Sequence, residues 1–424
     1  MPNAFDELLW RGLVYDATEG AGELLSAGRI TAYAGFDPTA SSLHVGHLLP
    51  ALTLARLQRF GHTPIAIVGG GTGMIGDPSG KSQERNLLSR EVIEDNVAAI
   101  RVQLARFLDF DGGEDAARIV NNVDWLGTID LLTFLREVGK HFTVSYMLQK
   151  ESVNRRLESE SGLSYTEFSY LVLQAHDFLQ LFDRYGCVLQ MGGSDQWGNI
   201  TAGIDLIRKL RGGKAFGLVM PLITTASGTK FGKTEAGAVW LDAARTSPYR
   251  FYQFWLNTDD RDVALYLKYF TFLDRETIRD LESTVHSAPE QRAAHGALAR
   301  EVTTIVHGAE QLSRVERASR LLFTEDITTL PPADVLAVLA DVTSTELPAA
   351  EFSGDGVGIV DLVARVRLAS SKSEARRLVQ SGGVYVNNRR HADPQGRIAR
   401  RDAIGNELVV LRKGTRETHV VRLT

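Results

Sequence analysis

Residues 29–70 read RITAYAGFDPTASSLHVGHLLPALTLARLQRFGHTPIAIVGG, and the order of apolar and polar positions in them decides the fold. Arg29–Asp37 (RITAYAGFD) and Thr63–Gly70 (TPIAIVGG) are short, mostly apolar runs bounded by turn residues, which predicts two buried strands. Between them LLPALTLARLQRFG repeats its leucines at helical spacing, so the stretch is a β-α-β unit. A second strand-to-helix passage, CVLQMGGSDQWGNITAGIDLIRKL, runs from Val188–Met191 through a glycine turn into a helix, and LVMPLITT predicts a further strand. Strands alternating with helices predict an α/β fold with a doubly wound parallel sheet, whose ligands sit at the carboxyl ends of the strands.

The chain has 424 residues, 44% hydrophobic and 23% charged, a soluble globular balance in which two or three domains are expected. No window approaches a membrane span, and MPNAFDELLWRG lacks a basic region followed by an apolar run, so a cytoplasmic location is expected. A lone cysteine, Cys187, excludes an internal disulfide and a cysteine-based zinc site and reads as core filler. The formal net charge of −5 hides an asymmetry. Residues 357–424 hold 14 Lys and Arg against 6 Asp and Glu, leaving an acidic body and a basic tail suited to a polyanion or simply to water. The expected organisation is a Rossmann-like domain over 1–240, an α-helical domain over 241–325, a Pro- and Gly-punctuated linker over 326–356, and a small basic α+β domain over 357–424. In that last domain SSKSEARRLVQ predicts a capped helix and GGVYVNNRR a stop and a short strand. No internal repeat is visible.

Gly71-Thr-Gly73-Met-Ile-Gly76 has dinucleotide spacing, but it leads into the turn Asp77-Pro78-Ser79-Gly80 where a helix would be needed. A P-loop ending at Gly80-Lys81-Ser82 fails too, because Ile75 stands where its first glycine belongs. The remaining reading is a loop that brings bare backbone near a ligand, with Asp77 as its fixed charge. In LHVGHLLP (43–50) the neighbours of His44 and His47 offer no metal set. Either the pair is a surface pair, or it opens a helix whose free N–H groups, with Pro50 in the first turn and Gly46 allowing close approach, attract phosphate. Lys230-Phe-Gly-Lys233-Thr is either a solvated turn or a basic loop suited to polyphosphate.

Taken together, HVGH and KFGKT resemble the HIGH and KMSKS signatures of class I aminoacyl-tRNA synthetases. YAGFDPTASSLHVGH, GDPSGKSQER, the Tyr-x-x-x-Gln-x-x-Asp helix, MGGSDQWGNI and KFGK are similar to the bacterial tyrosyl-tRNA synthetases over essentially the whole chain. The departures are Val45 in the first signature and Phe231, Gly232 and Thr234 in the second; both lysines are kept. Independently, Tyr170, Gln174 and Asp177 fall at i, i+4 and i+7, a polar stripe beside the apolar arc of Phe168, Leu171, Val172, Ala175, Phe178, Leu179 and Phe182. That stripe is either the wet edge of a helix or, with the resemblance, an amino-acid pocket.

The resemblance implies ATP-dependent activation of L-tyrosine and transfer to the 3′-terminal adenosine of tRNA(Tyr), an RNA-binding role for the tail, a homodimer, and no membrane association. It implies transition-state charge handled by Thr39, His44, His47, Lys230 and Lys233, with Lys81 and Arg85 on a neighbouring loop. ATP would be held along Gly35, Asp37, Gly46 and Gly193, with Asp195 on the ribose. Tyr33 and Asp177 would bond the substrate phenol, Asp77, Tyr170 and Gln174 its ammonium group, and Gln190 and Gln196 would complete the pocket. Magnesium would arrive with ATP, with no tightly bound cofactor and no protein metal cage. Two other classes share part of the pattern. A HIGH-type nucleotidylyltransferase needs neither the tail nor the Tyr-Gln-Asp stripe, and a non-catalytic RNA-binding relative needs neither the histidines nor the lysines. Tryptophanyl enzymes lack such a tail, and Tyr33 with Asp177 suits a phenol better than an indole.

Overall fold

In the computed structural model the described residues are 3–79, 88–111, 113–157, 162–229, 231–234, 237–323, 327–339, 342–414 and 417–424. They fall into two compact units, 1–242 with 260–282, and 243–259 with 283–424. The first is built on a six-stranded sheet of β1 (Asp16–Ala17), β2 (Thr31–Phe36), β3 (Thr63–Val68), β4 (Arg118–Asn121), β5 (Cys187–Gly193) and β6 (Phe216–Met220), in the order β1-β6-β5-β2-β3-β4. All neighbours run parallel except β1 on β6. Every residue of β3 is buried, as expected of a strand covered on both faces, and the helix Leu48–Arg59 returns the chain from β2 to it. The sixth strand ends at Met220, since Pro221 cannot continue the ladder, so LVMPLITT is strand only in its first three residues. A small ribbon, β7 (Lys233–Thr234) with β8 (Gly237–Ala238), carries the second lysine of KFGK.

The helix Tyr165–Tyr185, called the pocket helix below, starts where the Ser164 side chain accepts the Glu167 N–H and stops at Gly186 in the left-handed region (φ 60). Its start is fixed by a buried bidentate pair, Arg156 to Glu167 at 2.9 and 2.8 Å. On the other side Phe178 packs on Tyr33 of β2, and Ala175, Phe178 and Leu179 join the core with Ile65 and Leu206.

The second unit holds the helices Pro248–Leu256 and Ala293–Phe323, the latter broken at Gly308 (φ 85), and the helix Pro332–Val338. Its strands are β9 (Ser344–Leu347), β10 (Val357–Gly358), β11 (Val384–Val386), β12 (Arg389–His391), β13 (Arg397–Ile398), β14 (Leu408–Lys413) and β15 (Glu417–Leu423). Five of them form a sheet in the order β12-β11-β14-β15-β9, and β10 pairs with β13. The helices Ile359–Arg365 and Lys372–Gln380 bury Ile359, Val363, Ala375 and Val379 with Leu411 and Val421. Ser371 caps the second helix as the sequence predicts. Two features depart from expectation. Residues 260–282, with helix Asp260–Phe270, belong to the first unit although 243–259 and 283–323 on either side belong to the second, and β9, inside the segment read as a linker, pairs in parallel with β15. Its four residues lie between prolines that look like punctuation, and only the long-range pairing makes them a strand.

Candidate active site

The chain leaves β2 toward β3 and β4 on one side and returns to β5 and β6 on the other, so the order reverses beside β2 and leaves a crevice at the carboxyl ends. Asp37 follows β2, the glycine run follows β3, Asn121 ends β4 with Asn122 next to it, and Gly193 ends β5 with Ser194–Gln196 after it. Side chains join these ends. Thr72 Oγ1 and Tyr170 Oη donate to the two oxygens of Asp37 at 2.8 and 3.0 Å. Asn122 Nδ2 reaches Thr72 Oγ1 and Asp177 Oδ2, both at 2.9 Å, and Trp125 Nε1 donates to Asp177 Oδ1 at 2.7 Å. A continuous polar chain therefore links Tyr170, Asp37, Thr72, Asn122 and Asp177.

Around Asp177 the environment is dry. Burial pushes its carboxyl up to about 7, against the hydrogen bonds from Asn122 and Trp125 that pull it down. Tyr33 and Gln190 stand opposite each other in the β2–β5 register and so share a face of the sheet. Burial, then the charge of Asp177, holds the Tyr33 phenol well above its ordinary value. Tyr33 Oη and Gln190 Oε1 are both buried and have no hydrogen-bond partner among the described residues, a cost that a polar ligand group would remove. A second polar cluster sits further along the same helix. Gln196 Nε2 donates to Asp77 Oδ2 at 2.7 Å, Gln174 Nε2 to Gln196 Oε1 at 3.3 Å, and Asn199 Nδ2 to Gln174 Oε1 at 3.0 Å. The Tyr170 phenol feels both Asp37 and Asp77 and is raised well above its ordinary value, chiefly by burial. One end of this pocket suits a hydroxyl and the other a cation.

The histidines have a defined tautomer. His44 Nδ1 accepts the Gly46 N–H and His47 Nδ1 accepts the His44 N–H, both at 3.1 Å, and the rings lie 4.0 Å apart. A backbone N–H can bond only an unprotonated ring nitrogen, so each neutral imidazole carries its proton on Nε2. Beyond them a single turn, Val45–His47, opens the helix Leu48–Arg59, with Pro50 in its first turn. HVGH and KFGK meet in space. Val45 N–H donates to Val239 O, Val239 N–H to Gly232 O, and a Cβ placed on Gly232 (φ 78) would lie 2.5 Å from Val45 Cγ2.

Glycines have other duties than expected. Side chains of the protein fill the space a Cβ would take: Asp37 Oδ1 at 2.1 Å for Gly69, Asn121 Oδ1 at 2.3 Å for Gly70, the His44 ring at 2.8 Å for Gly46, and Asp195 Oδ1 at 2.6 Å for Gly193. The N–H groups of Gly70 and Gly71 go to Asn121 and Asn122, so the run latches β3 to β4, which corrects the reading of a loop bared for a ligand. Gly35 and Thr39 are exposed at the crevice, and the Thr39 N–H closes a turn on Asp37 O. Lys81, Arg85 and Lys230 lie outside the described residues, and Lys233 is described in its backbone alone. No role for Thr72, Asn122, Trp125 or Asn199 is legible in the sequence, and only the fold brings them to the site. Asn122 and Trp125 stand in NNVDW at the end of β4, a strand that the sequence pattern does not display. Among the described residues no group of three or more His, Cys, Asp or Glu is placed to hold a metal ion.

Known proteins bear the same pattern. The family model of class I tRNA synthetases (W and Y) matches residues 25–324, and that of a tyrosine--tRNA ligase SYY-like C-terminal domain matches 339–421. The tyrosine--tRNA ligase of Roseiflexus castenholzii is 56% identical over 100% of both chains, and that of Geobacillus stearothermophilus is 52% identical over 98% of both. A C-terminally truncated mitochondrial tyrosyl-tRNA synthetase of Aspergillus nidulans superposes with a TM-score of 0.69 at 32% identity, over 76% of this chain and 95% of that one. With two family models in tandem, full-length relatives above half identity and the signature motifs packed together in the crevice, the chain belongs to the tyrosine--tRNA ligase family of class I tRNA synthetases.

Proposed function

We propose that the chain joins L-tyrosine to ATP as tyrosyl-adenylate, releasing pyrophosphate, and then passes the tyrosyl group to the 3′-terminal adenosine of tRNA(Tyr). The observation that carries this reading is the packing of Gly232 on Val45, which sets HVGH and KFGK side by side at the carboxyl ends of the strands. The substrate carboxylate is the nucleophile, so the protein aligns reactants and stabilises charge moving onto pyrophosphate. His44 and His47 donate from Nε2, and Lys230, Lys233 and Thr39 join them, with Lys81 and Arg85 on the neighbouring loop. Asp195 takes the ribose, and Gly35, Asp37, Gly46 and Gly193 line the nucleotide. Tyr33, Asp177 and Gln190 read the phenol, while Asp77, Tyr170, Gln174 and Gln196 hold the ammonium group. Magnesium enters as part of the ATP substrate.

In this reading residues 1–240 activate, 241–325 form the helical part, 326–356 connect, and 357–424 bind RNA through exposed arginines such as Arg376, Arg377, Arg389, Arg400 and Arg401. A homodimer is supported by exposed apolar side chains in a narrow span of the first unit, including Leu131 (69% exposed), Leu132 (76%), Val144 (61%) and Tyr165 (75%). Among the described residues no helix is long and apolar enough to cross a membrane, which is compatible with a cytoplasmic location. Amino-acid-dependent ATP–pyrophosphate exchange, run with each amino acid in turn, tests the activity: tyrosine alone should support it, and exchange driven by tryptophan or by none would overturn the reading.

A further inference from the structure

Helix Asp260–Phe270 contains no residue expected at the site, yet it touches both the second signature and the turn before it. Asp262, buried near its start, accepts the Ala226 N–H at 2.9 Å, in the turn that leads into KFGK. One and two turns further on, Tyr266 and Phe270 enclose the buried Phe231 ring, with centroids 5.0 and 5.2 Å away and the Phe270 ring stacked within 16°. The far end of the helix is pinned as firmly. Arg56 Nη2 donates to Tyr269 O and Thr271 O, both at 2.7 Å, and Arg11 donates to Lys268 O at 2.9 Å and Leu273 O at 2.7 Å. Arg56 is buried, and the carbonyls it meets lie at the negative end of a helix dipole, which offsets its desolvation. Arg56 also sits on the helix that HVGH opens. The two signatures are thus referenced to one another through a single rigid element.

We propose that helix Asp260–Phe270 is a strut that holds the KFGKT loop in register with HVGH, and that Asp262 and Phe231 are positioning residues for adenylate formation; the proposal rests on the role given to that loop above. The physical reason is geometric. Lys230 and Lys233 are chain neighbours of Phe231 and Gly232, so drift in the Phe231 anchor shifts the segment of chain that carries both lysines, and stabilisation of a transition state is sensitive to an ångström of drift. Tyrosine binds elsewhere, under the pocket helix, and should not sense the strut.

The test is the single-turnover rate of tyrosyl-adenylate formation on the full chain, with the tyrosine Kd and the melting temperature measured alongside. Asp262→Ala and Phe231→Ala should slow the step by roughly ten- to a hundredfold while the tyrosine Kd stays at the wild-type value. Asp262→Asn, which keeps a weaker acceptor, should fall between, and Phe231→Met, which refills the aromatic box, should recover most of the rate. Because the strut acts through the lysines, Asp262→Ala combined with Lys233→Ala should be little slower than Lys233→Ala alone. Wild-type rates in the alanine variants, or effects that multiply in the double variant, overturn the proposal. Should the alanine variants fail to fold, a folded Asp262→Asn protein with a wild-type rate overturns it equally. A wild-type rate for Lys233→Ala overturns the role of the loop itself, and the strut with it.

Discussion

Asp177 shows how one side chain acquires a task. Its position on a helical stripe is legible from sequence, but its chemistry comes from burial and from Asn122 and Trp125, which occupy both carboxylate oxygens while leaving lone pairs for a substrate hydroxyl. Phenylalanine in this pocket would leave Tyr33 Oη and Gln190 Oε1 without a partner, at a cost of about 1–3 kcal/mol for each buried group, and would offer Asp177 no hydroxyl beside Asn122 and Trp125. Asp177→Ala should therefore lower kcat/KM for tyrosine-dependent exchange by about 3 kcal/mol or more, phenylalanine being little affected, whereas Tyr33→Phe should cost about 1 kcal/mol, since only the loss of the carboxyl also leaves Asn122 Nδ2 and Trp125 Nε1 without an acceptor. Exchange kinetics with both amino acids on each variant check this, and an unchanged ratio in Asp177→Ala moves phenol recognition to other residues. The raised carboxyl also has a pH signature. Folded Asp177 holds its proton up to about 7 while the unfolded chain releases it in the usual carboxylate range, so its contribution to stability is present in acid and lost as pH rises through 7. Buried His176, lowered to about 4, works in the opposite direction, its contribution lost as pH falls from the usual imidazole range toward 4. Asp177→Asn removes the first effect alone, so its melting temperature should gain on wild type between pH 4 and pH 8; a constant difference would contradict the assignment.

At the scale of elements, the signature turns depend on packing that no local pattern displays. The helix Leu48–Arg59 and its proline were readable from spacing, and so was the stripe on the pocket helix. What could not be read is that Gly232 packs on Val45 and that Asn121 and Asn122 fill the space beside the glycine run, because each pairing spans 50 residues or more of chain. Gly232→Ala tests the first of these. A left-handed φ costs an alanine about 1 kcal/mol, and its methyl would collide with Val45 Cγ2, so adenylate formation should slow by roughly tenfold or more with tyrosine affinity retained. Adding Val45→Ala removes the collision and should restore part of the rate, which stopped-flow measurement on the single and double variants would show.

For the whole molecule, the basic tail and the activating unit should be separable. A cut after residue 350 would strip β9 of β15 and uncover Leu347, so the truncation that removes both strands together takes away 324–424 and leaves the first unit whole. That protein should keep tyrosine-dependent exchange and lose tRNA charging, and normal charging would refute the assignment of the tail. In the full chain, Arg400→Ala with Arg401→Ala should weaken tRNA binding and flatten its salt dependence, by about one unit of slope for each phosphate no longer neutralised, read from binding titrations across ionic strength. The sequence by itself determined the β-α-β core, the capped helices and the two signatures, because a buried strand, a helix face and a glycine stop are each set by residues within a few positions of one another. Only tertiary structure decided that helix Asp260–Phe270 joins the first unit, that Ser344–Leu347 is a strand, that the glycines bed against Asp37 and Asn121, and that Asp177 is dry and doubly bonded. Those outcomes depend on which distant segments exclude water from one another, and burial, pairing and a shifted carboxyl exist only once the chain has closed around them.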